Sequence, residues 1–234
     1  MFKTILKNAI FSKRMDFSQG FQEACKDYAF LRNRGYPDRT AVKLVGDRYR
    51  LSREERNILY RGIGSEEESE RRRRRKTDEA VGRLHIDGYN VLFTIHNYRM
   101  GRPLFLSTDG FLRDVGEIHG RLKEQEHITE LFDLVFNYLR ETDSGPFRIL
   151  LDEQMSFSKD HRRTGRELIS RYGLNGDCLR MGSVDRELQS VESGCIASSD
   201  STIIDRARVL VFDLSYAVIS KAYRASFPDL SDFV

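Results

Sequence analysis

The sequence has no tryptophan, four prolines and only three cysteines among its 234 residues. The cysteines form no CxxC pair, and their odd number argues against a disulfide framework, so buried reduced thiols are expected at Cys25, Cys178 and Cys195. No set of Cys and His residues has the spacing of a zinc site. Neither a GxGxxG fingerprint nor a P-loop occurs, which disfavours a nucleotide cofactor.

Long hydrophobic runs are also missing. The opening segment, residues 1–11, is interrupted by Lys3 and Lys7, and its apolar stretch is too short for a signal peptide or a membrane span. These features predict a cytoplasmic protein without a membrane segment, whose first 15 residues form a loosely docked arm.

Charge is present in both signs but is unevenly distributed. Residues 1–76 contain 20 Lys and Arg against 11 Asp and Glu, whereas the remainder contains 19 against 25. A basic front part suits attraction of a polyanion, and an acidic rear part suits cation binding or chemistry. The alternative is that this uneven distribution of charge has no functional meaning.

Helical periodicity and capping signals predict a small, basic, all-α module at residues 1–66. Its helices are expected at about 18–33, 38–46 and 52–61, the last opened by the capping box Ser52-Arg-Glu-Glu55. Opposed blocks of Glu and Arg follow, including Arg71 to Arg75, and predict a charged linker at residues 67–80. An exposed helix with Glu–Arg pairs, or a segment that lies along phosphates, is the alternative for this region.

Residues 81–234 predict a separate α/β domain. Five short apolar segments without two-residue alternation alternate with helical patterns, which is typical of a parallel five-stranded sheet covered by helices on both faces. The strands are expected at about 84–87, 147–152, 177–181, 194–199 and 208–213. A helix is expected to begin at Ser107, with Asp109 in a capping role.

Three of these strands end in an aspartate. Right-handed crossovers place the carboxyl ends of parallel strands at one edge, so Asp87, Asp152 and Asp200 should converge there, with Asp185 at a nearby helix start. Clustered carboxylates repel one another unless a cation intervenes, and oxygen ligands suit Mg²⁺ or Mn²⁺. Such ions activate water for attack on phosphorus. Taken singly, each aspartate could instead be a turn or helix-capping residue.

The segment Leu84-His-Ile-Asp-Gly-Tyr-Asn-Val-Leu92 resembles the first-strand motif of PIN-like and NYN-type metal-dependent ribonucleases. Ser183-Val-Asp-Arg-Glu-Leu188 followed by Cys195-Ile-Ala-Ser-Ser-Asp200 resembles their later pair of motifs, and Ile149-Leu-Leu-Asp152 is similar to a strand end of the NYN branch. This resemblance covers about residues 82–214. The module before it is similar to a helical domain of unknown function found in prokaryotes.

The resemblance implies a PIN-like, Rossmann-like fold with a metal site that binds Mg²⁺ or Mn²⁺. Its catalytic and metal-binding acids would be Asp87, Asp152, Asp185 and Asp200. Supporting binding groups would be Asn90, Ser198 and Ser199. Asp205, a later acid of the last motif, and Arg113, a candidate phosphate contact, complete the predicted set of site residues: Asn90, Arg113, Ser198, Ser199 and Asp205.

The predicted function is therefore a metal-dependent nuclease that hydrolyses phosphodiester bonds, with RNA favoured as the nucleic-acid partner. A catalytically inactive PIN-like module that binds nucleic acid or protein is the first alternative, and formation of a homodimer stays open. An α/β phosphohydrolase acting on a small phosphate ester is a weaker alternative, because no DxD follows the first strand.

Overall fold

A computed structural model describes Met15, residues 17–116 and residues 125–234. These residues form two compact units. The helical unit comprises the described residues up to Arg73, residues 97–116 and residues 223–234, and the sheet unit comprises residues 74–96 and 125–222. None of the helices in the described part of the chain combines the length and apolar character needed to cross a membrane. The predicted arm falls almost entirely outside the described residues.

The helical unit is built on four helices, α1 (Phe21–Asn33), α2 (Asp38–Arg48), α3 (Arg53–Gly62) and α4 (Glu66–Arg73). The capping box predicted for α3 is present: the Ser52 hydroxyl accepts from the Glu55 amide, and the Glu55 carboxylate accepts from the Ser52 amide at 2.9 Å. The core of this unit also contains Phe105 and Leu230, from much later in the chain. These two apolar side chains explain why their segments belong to the helical unit.

The segment predicted as a linker is instead regular structure. Helix α4 places Glu66, Glu67 and Glu68 in its first turn and arginines in its last turn, an order that complements the helix dipole. The Ser65 hydroxyl and the Glu68 carboxylate each accept from the other residue's amide, so the helix begins with a second capping box. The helix of that alternative is therefore present at residues 66–73, and two of its residues pair outside it, Glu68 with Arg32 and Arg72 with Asp109.

The predicted helix from Ser107 is wrong, because this segment forms an antiparallel hairpin of β3 (Leu104–Leu106) and β4 (Leu112–Asp114). Asp109 lies in its turn, is 1% exposed, and accepts from the Phe111 amide and the Arg113 guanidinium. The predicted helix-capping role of Asp109 is therefore replaced by a turn and a buried ion pair.

The sheet unit has six parallel strands in the order β1-β8-β7-β2-β5-β6. The strands are β1 (Lys76–Thr77), β2 (Leu84–Asp87), β5 (Phe147–Asp152), β6 (Gly176–Met181), β7 (Cys195–Ala197) and β8 (Leu210–Phe212). The helices are α5 (Gly88–Arg99), α6 (Gln125–Glu141), α7 (Ser158–Tyr172), α8 (Val184–Gln189), α9 (Ser201–Arg206) and α10 (Leu214–Tyr223). The expected α/β class and the five parallel strands are confirmed, and β1 adds a sixth strand at the edge beside β8.

Strand β2 lies at the centre of the sheet, between β7 and β5. Leu84 and Ile86 are fully buried, in line with an apolar strand covered on both faces. Gly88 follows immediately, and a Cβ atom there would approach Leu151 Cδ2 to 2.6 Å and the Leu150 carbonyl to 2.8 Å. Glycine at this point therefore lets the chain turn from β2 into α5 against β5, which fixes Asp87 at the sheet edge.

Candidate functional site

Asp87 ends the central strand and is held by contacts from two directions. Its Oδ2 accepts a hydrogen bond from Ser198 Oγ at 2.9 Å, and its Oδ1 accepts from the Asn90 amide at 3.4 Å. The Asn90 side chain in turn accepts from the Ser199 amide at 2.9 Å and from Ser199 Oγ at 3.2 Å. These bonds tie the start of α5 to the end of β7, so Asp87, Asn90, Ser198 and Ser199 form one group.

The electrostatics of Asp87 are unusual for a carboxylate. Its pKa is raised to about 7, mainly by burial and to a smaller extent by the neighbouring charges of Asp200 and Asp185. The hydrogen bonds from Ser198 and Asn90 act in the opposite direction without overcoming burial. Asp87 is partly exposed, so its carboxyl is partly desolvated, and its charged neighbours include two other acids.

The three other predicted acids lie at the same edge. Asp200 is exposed and caps α9, its Oδ1 accepting from the amides of Thr202 at 2.7 Å and Ile203 at 3.3 Å. Asp185 is exposed in the first turn of α8. Partial desolvation by neighbouring atoms and then the charges of Asp200 and Asp152 raise its pKa, while Arg206 lowers it. These mutual effects place Asp87, Asp152, Asp185 and Asp200 within one electrostatic neighbourhood.

Helix capping explains some of these aspartates but not all of them. It accounts for one oxygen of Asp200, whereas α8 is capped by Ser183, so Asp185 is not needed for that purpose. Asp152 accepts from the Gln154 amide at 2.8 Å, which is a turn contact after β5. Capping and cation binding are compatible here because a carboxylate has two oxygens and about four lone-pair sites.

The donor set suits a small divalent cation, although the acids are not gathered into a closed cage. Among the described residues, no three or more His, Cys, Asp or Glu side chains form a group arranged to hold a metal ion. Mg²⁺ typically uses one or two protein carboxylates and retains several waters, so it does not require such a group. Asp87 and Asp200 are connected through Ser198, whose Oγ donates to Asp87 and accepts from the Asp200 amide.

Two predicted binding residues lie in different surroundings. Asp205 is partly buried in α9, and its carbonyl accepts from Arg75 Nη1 at 2.6 Å. Arg113 belongs to the helical unit, is 5% exposed, pairs with Asp109 at 2.7 Å and donates to the Arg61 carbonyl. The interpretation of Arg113 as a phosphate contact is therefore replaced by a structural role, since its guanidinium is buried in an ion pair.

A polar bridge beneath the acids is not among the features predicted from the sequence. Arg148 on β5 donates from Nε to His85 Nδ1 at 2.6 Å and pairs through Nη2 with Glu187 on α8 at 2.9 Å. Burial lowers the pKa of His85 to about 4, and the charges of Arg148 and Arg83 add to this effect. The bridge holds α8, which carries Asp185, against β2 and β5. The parallel register, in which His85 faces Arg148, was the signal that could have revealed it.

Comparison with known proteins adds two family matches. Residues 78–217 match the family described as "Domain of unknown function (DUF5616)", and residues 20–75 match "Protein of unknown function (DUF434)". An uncharacterised protein of Methanocaldococcus jannaschii is 29% identical over 191 residues, which cover 80% of this chain and 90% of that relative. No solved structure matches the chain. Because the first match spans more than half of the sequence, the chain belongs to the family described as a domain of unknown function, DUF5616.

Proposed function

We propose that the chain is a metal-dependent nuclease that hydrolyses phosphodiester bonds in RNA. The observation that carries this proposal is the environment of Asp87: a desolvated carboxyl at the carboxyl end of the central strand, with Asp200 and Asp185 as charged neighbours. Ligands bind at this edge in open parallel sheets. Strongly perturbed carboxyls at such an edge are typical of functional sites.

Asp87 and Asp200 would hold Mg²⁺ or Mn²⁺, with Asp185 and Asp152 acting on coordinated waters or on a second ion. When bound, the ion supplies an activated water and neutralises charge on the phosphate. Ser198 keeps the Asp87 carboxylate in place through its 2.9 Å hydrogen bond. The Asn90–Ser199 contacts hold the two backbone segments at a constant separation, which preorganises the acids.

The basic surface of the helical unit suits a nucleic-acid partner. Exposed arginines supply a sequence-independent attraction for phosphates, which is the main source of non-specific nucleic-acid affinity. They are Arg34, Arg39, Arg48, Arg50 and Arg53.

The test is cleavage of labelled single-stranded and structured RNA by the purified chain in Mg²⁺, Mn²⁺ or EDTA. We expect metal-dependent cleavage that falls at least about hundredfold in Asp87→Asn, the scale on which removal of one transition-state-stabilising group acts. The matched control is Asp143→Asn: Asp143 is exposed in the turn before β5, at the opposite end of the strand, and its φ of +47° is tolerated by Asn. Normal cleavage by Asp87→Asn would show that the site is wrongly assigned.

An inactive binding module is the second candidate: the cap of α9 engages one oxygen of Asp200 and leaves only the other oxygen for a cation. RNA binding by both the parent and Asp87→Asn, without cleavage in any metal, would support this candidate over the nuclease.

A further inference from the structure

The loop between β5 and α7 projects apolar side chains beside the acids. This segment, residues 153–157 and here called the Phe157 loop, begins directly after Asp152. Met155 is 36% exposed and Phe157 is 52% exposed. An exposed phenyl ring gains little from burial, so the stability of the fold does not explain it.

The backbone conformation of Phe157 is also unusual. Phe157 is the N-cap residue of α7 and adopts φ +64° and ψ +11°, the left-handed conformation. A bulky non-glycine residue is an outlier there, and glycine would adopt it without a steric penalty. Strained residues of this kind concentrate at functional sites and ligand clamps.

The Phe157 loop is anchored at both ends. The Gln154 amide donates to Asp152 Oδ1 at 2.8 Å. Arg180 on β6 donates to Ser158 Oγ at 3.0 Å and to the Glu153 carbonyl at 3.3 Å, and Ser158 Oγ donates to the same carbonyl at 3.2 Å. These bonds link the loop directly to Asp152, so the backbone that carries the ring is held next to one of the acids.

Positive charge follows the ring along α7. Lys159 and Arg162 are exposed, and neither forms an ion pair within the described part of the chain. An aromatic surface next to free cations matches the pattern by which proteins bind single-stranded nucleic acid, where bases stack on rings and cations follow the backbone.

We propose that Phe157 is a stacking platform for an unpaired base next to the scissile phosphate, which makes single-stranded RNA the substrate class. This inference rests on the proposed function. A base inside a duplex is already stacked on its neighbours and does not offer its face to the ring. The Phe157 loop therefore selects the strand form of the RNA, while the acids act on the phosphate.

The test separates binding from cleavage. Affinity is measured by fluorescence anisotropy in the Asp87→Asn background, so that the RNA stays intact, with a single-stranded RNA of about 12 nucleotides. The same RNA paired to its complement and an abasic backbone of equal length are the comparison ligands. We expect Phe157→Ala to weaken single-strand binding about tenfold and to leave binding of the duplex and the abasic strand unchanged. Phe157→Trp should restore binding.

Two variants control for folding and for loss of any exposed ring. Phe157→Gly lacks the ring but fits the backbone, so it should melt at a higher temperature than Phe157→Ala while binding as weakly. Phe30→Ala removes a ring that is 55% exposed in the helical unit and should bind like the parent.

The outcomes distinguish this inference from the nuclease proposal. The parent protein is tested for metal-dependent RNA cleavage, and the Phe157→Ala variant is tested for binding. If the parent cleaves RNA and Phe157→Ala binds single strands as tightly as the chain that retains Phe157, the stacking platform is overturned and the nuclease is retained. If loss of the Phe157 ring weakens binding of single strands but the parent protein cleaves no RNA, the platform is supported and the nuclease is rejected. Equal weakening for all three ligands, or no binding of the single strand by the chain that retains Phe157, would overturn the platform.

Discussion

Asp87→Asn should stabilise the folded chain at neutral and alkaline pH, although it removes the central acid of the site. Burial raises the pKa of Asp87 from its ordinary value of 3.8 to about 7, so the folded state holds this proton more tightly than the unfolded state does. Stability is therefore lost as the pH rises between these two values, and the full penalty is present above about pH 7. Asparagine has nearly the same shape and no charge, so it avoids that penalty.

The size of the effect follows from the shift. A rise from 3.8 to about 7 corresponds to about 4 kcal/mol of unfolding free energy. The hydrogen bond from Ser198 is already part of this net shift, and the partial exposure of Asp87 reduces the cost of its charge. We therefore expect Asp87→Asn to exceed the parent by about 2–4 kcal/mol at about pH 8, and to differ little at about pH 4.

Urea unfolding of both proteins with EDTA across this pH range measures the difference, with Asp143→Asn as the control that should follow the parent. Adding Mg²⁺ should then stabilise the parent and leave Asp87→Asn unchanged, because a ligand stabilises only the state that binds it. A variant less stable than the parent at about pH 8, or a difference that does not change with pH, would refute the assignment of Asp87 as a desolvated and unfavourably charged group.

Two further predictions concern buried charges outside the acid group. Arg148→Met should raise the pKa of His85 from about 4 towards its ordinary value, because the substitution removes one of the positive charges that lower this pKa. Titration of His85 by NMR measures the change, and an unchanged pKa would contradict the contact between Arg148 and His85. Asp109→Ala should destabilise the helical unit by about 3–5 kcal/mol in urea unfolding, because it removes the carboxylate that pairs with the buried Arg113. Replacing Arg113 by Met in the same chain should recover part of this loss of stability.

The central strands were predictable because burial and topology act together on them. Strand Phe147–Asp152 has the predicted bounds, since its short, continuous apolar pattern is typical of a buried parallel strand. The convergence of Asp87 with Ser198 follows from the topology, because all six strands of the main sheet run in the same direction. Parallel topology thus carries information about a site that local patterns lack.

Strand β1 and the hairpin of β3 and β4 could not be predicted from their own sequences. Strand β1 consists of Lys76 and Thr77, which pair with β8 at the edge of the sheet without adding apolar residues to the core. The hairpin at 104–114 begins its turn with Ser107-Thr-Asp109, which is also a typical helix-capping sequence, and only the burial of Asp109 against Arg113 decides between the two. Such choices depend on partners distant in sequence.

The same distinction separates Asp87 from an ordinary turn aspartate. A helix-capping carboxylate accepts short hydrogen bonds from the first amides of its helix, as Asp200 does at 2.7 Å. The local bond of Asp87, from the Asn90 amide, is 3.4 Å long, and its shorter bond comes from Ser198, on the other side of the site. Its pKa is raised, so its charge opposes folding. Because asparagine could make the same turn without that opposition, turn formation does not account for the carboxylate at position 87, whereas the proposed cation site would.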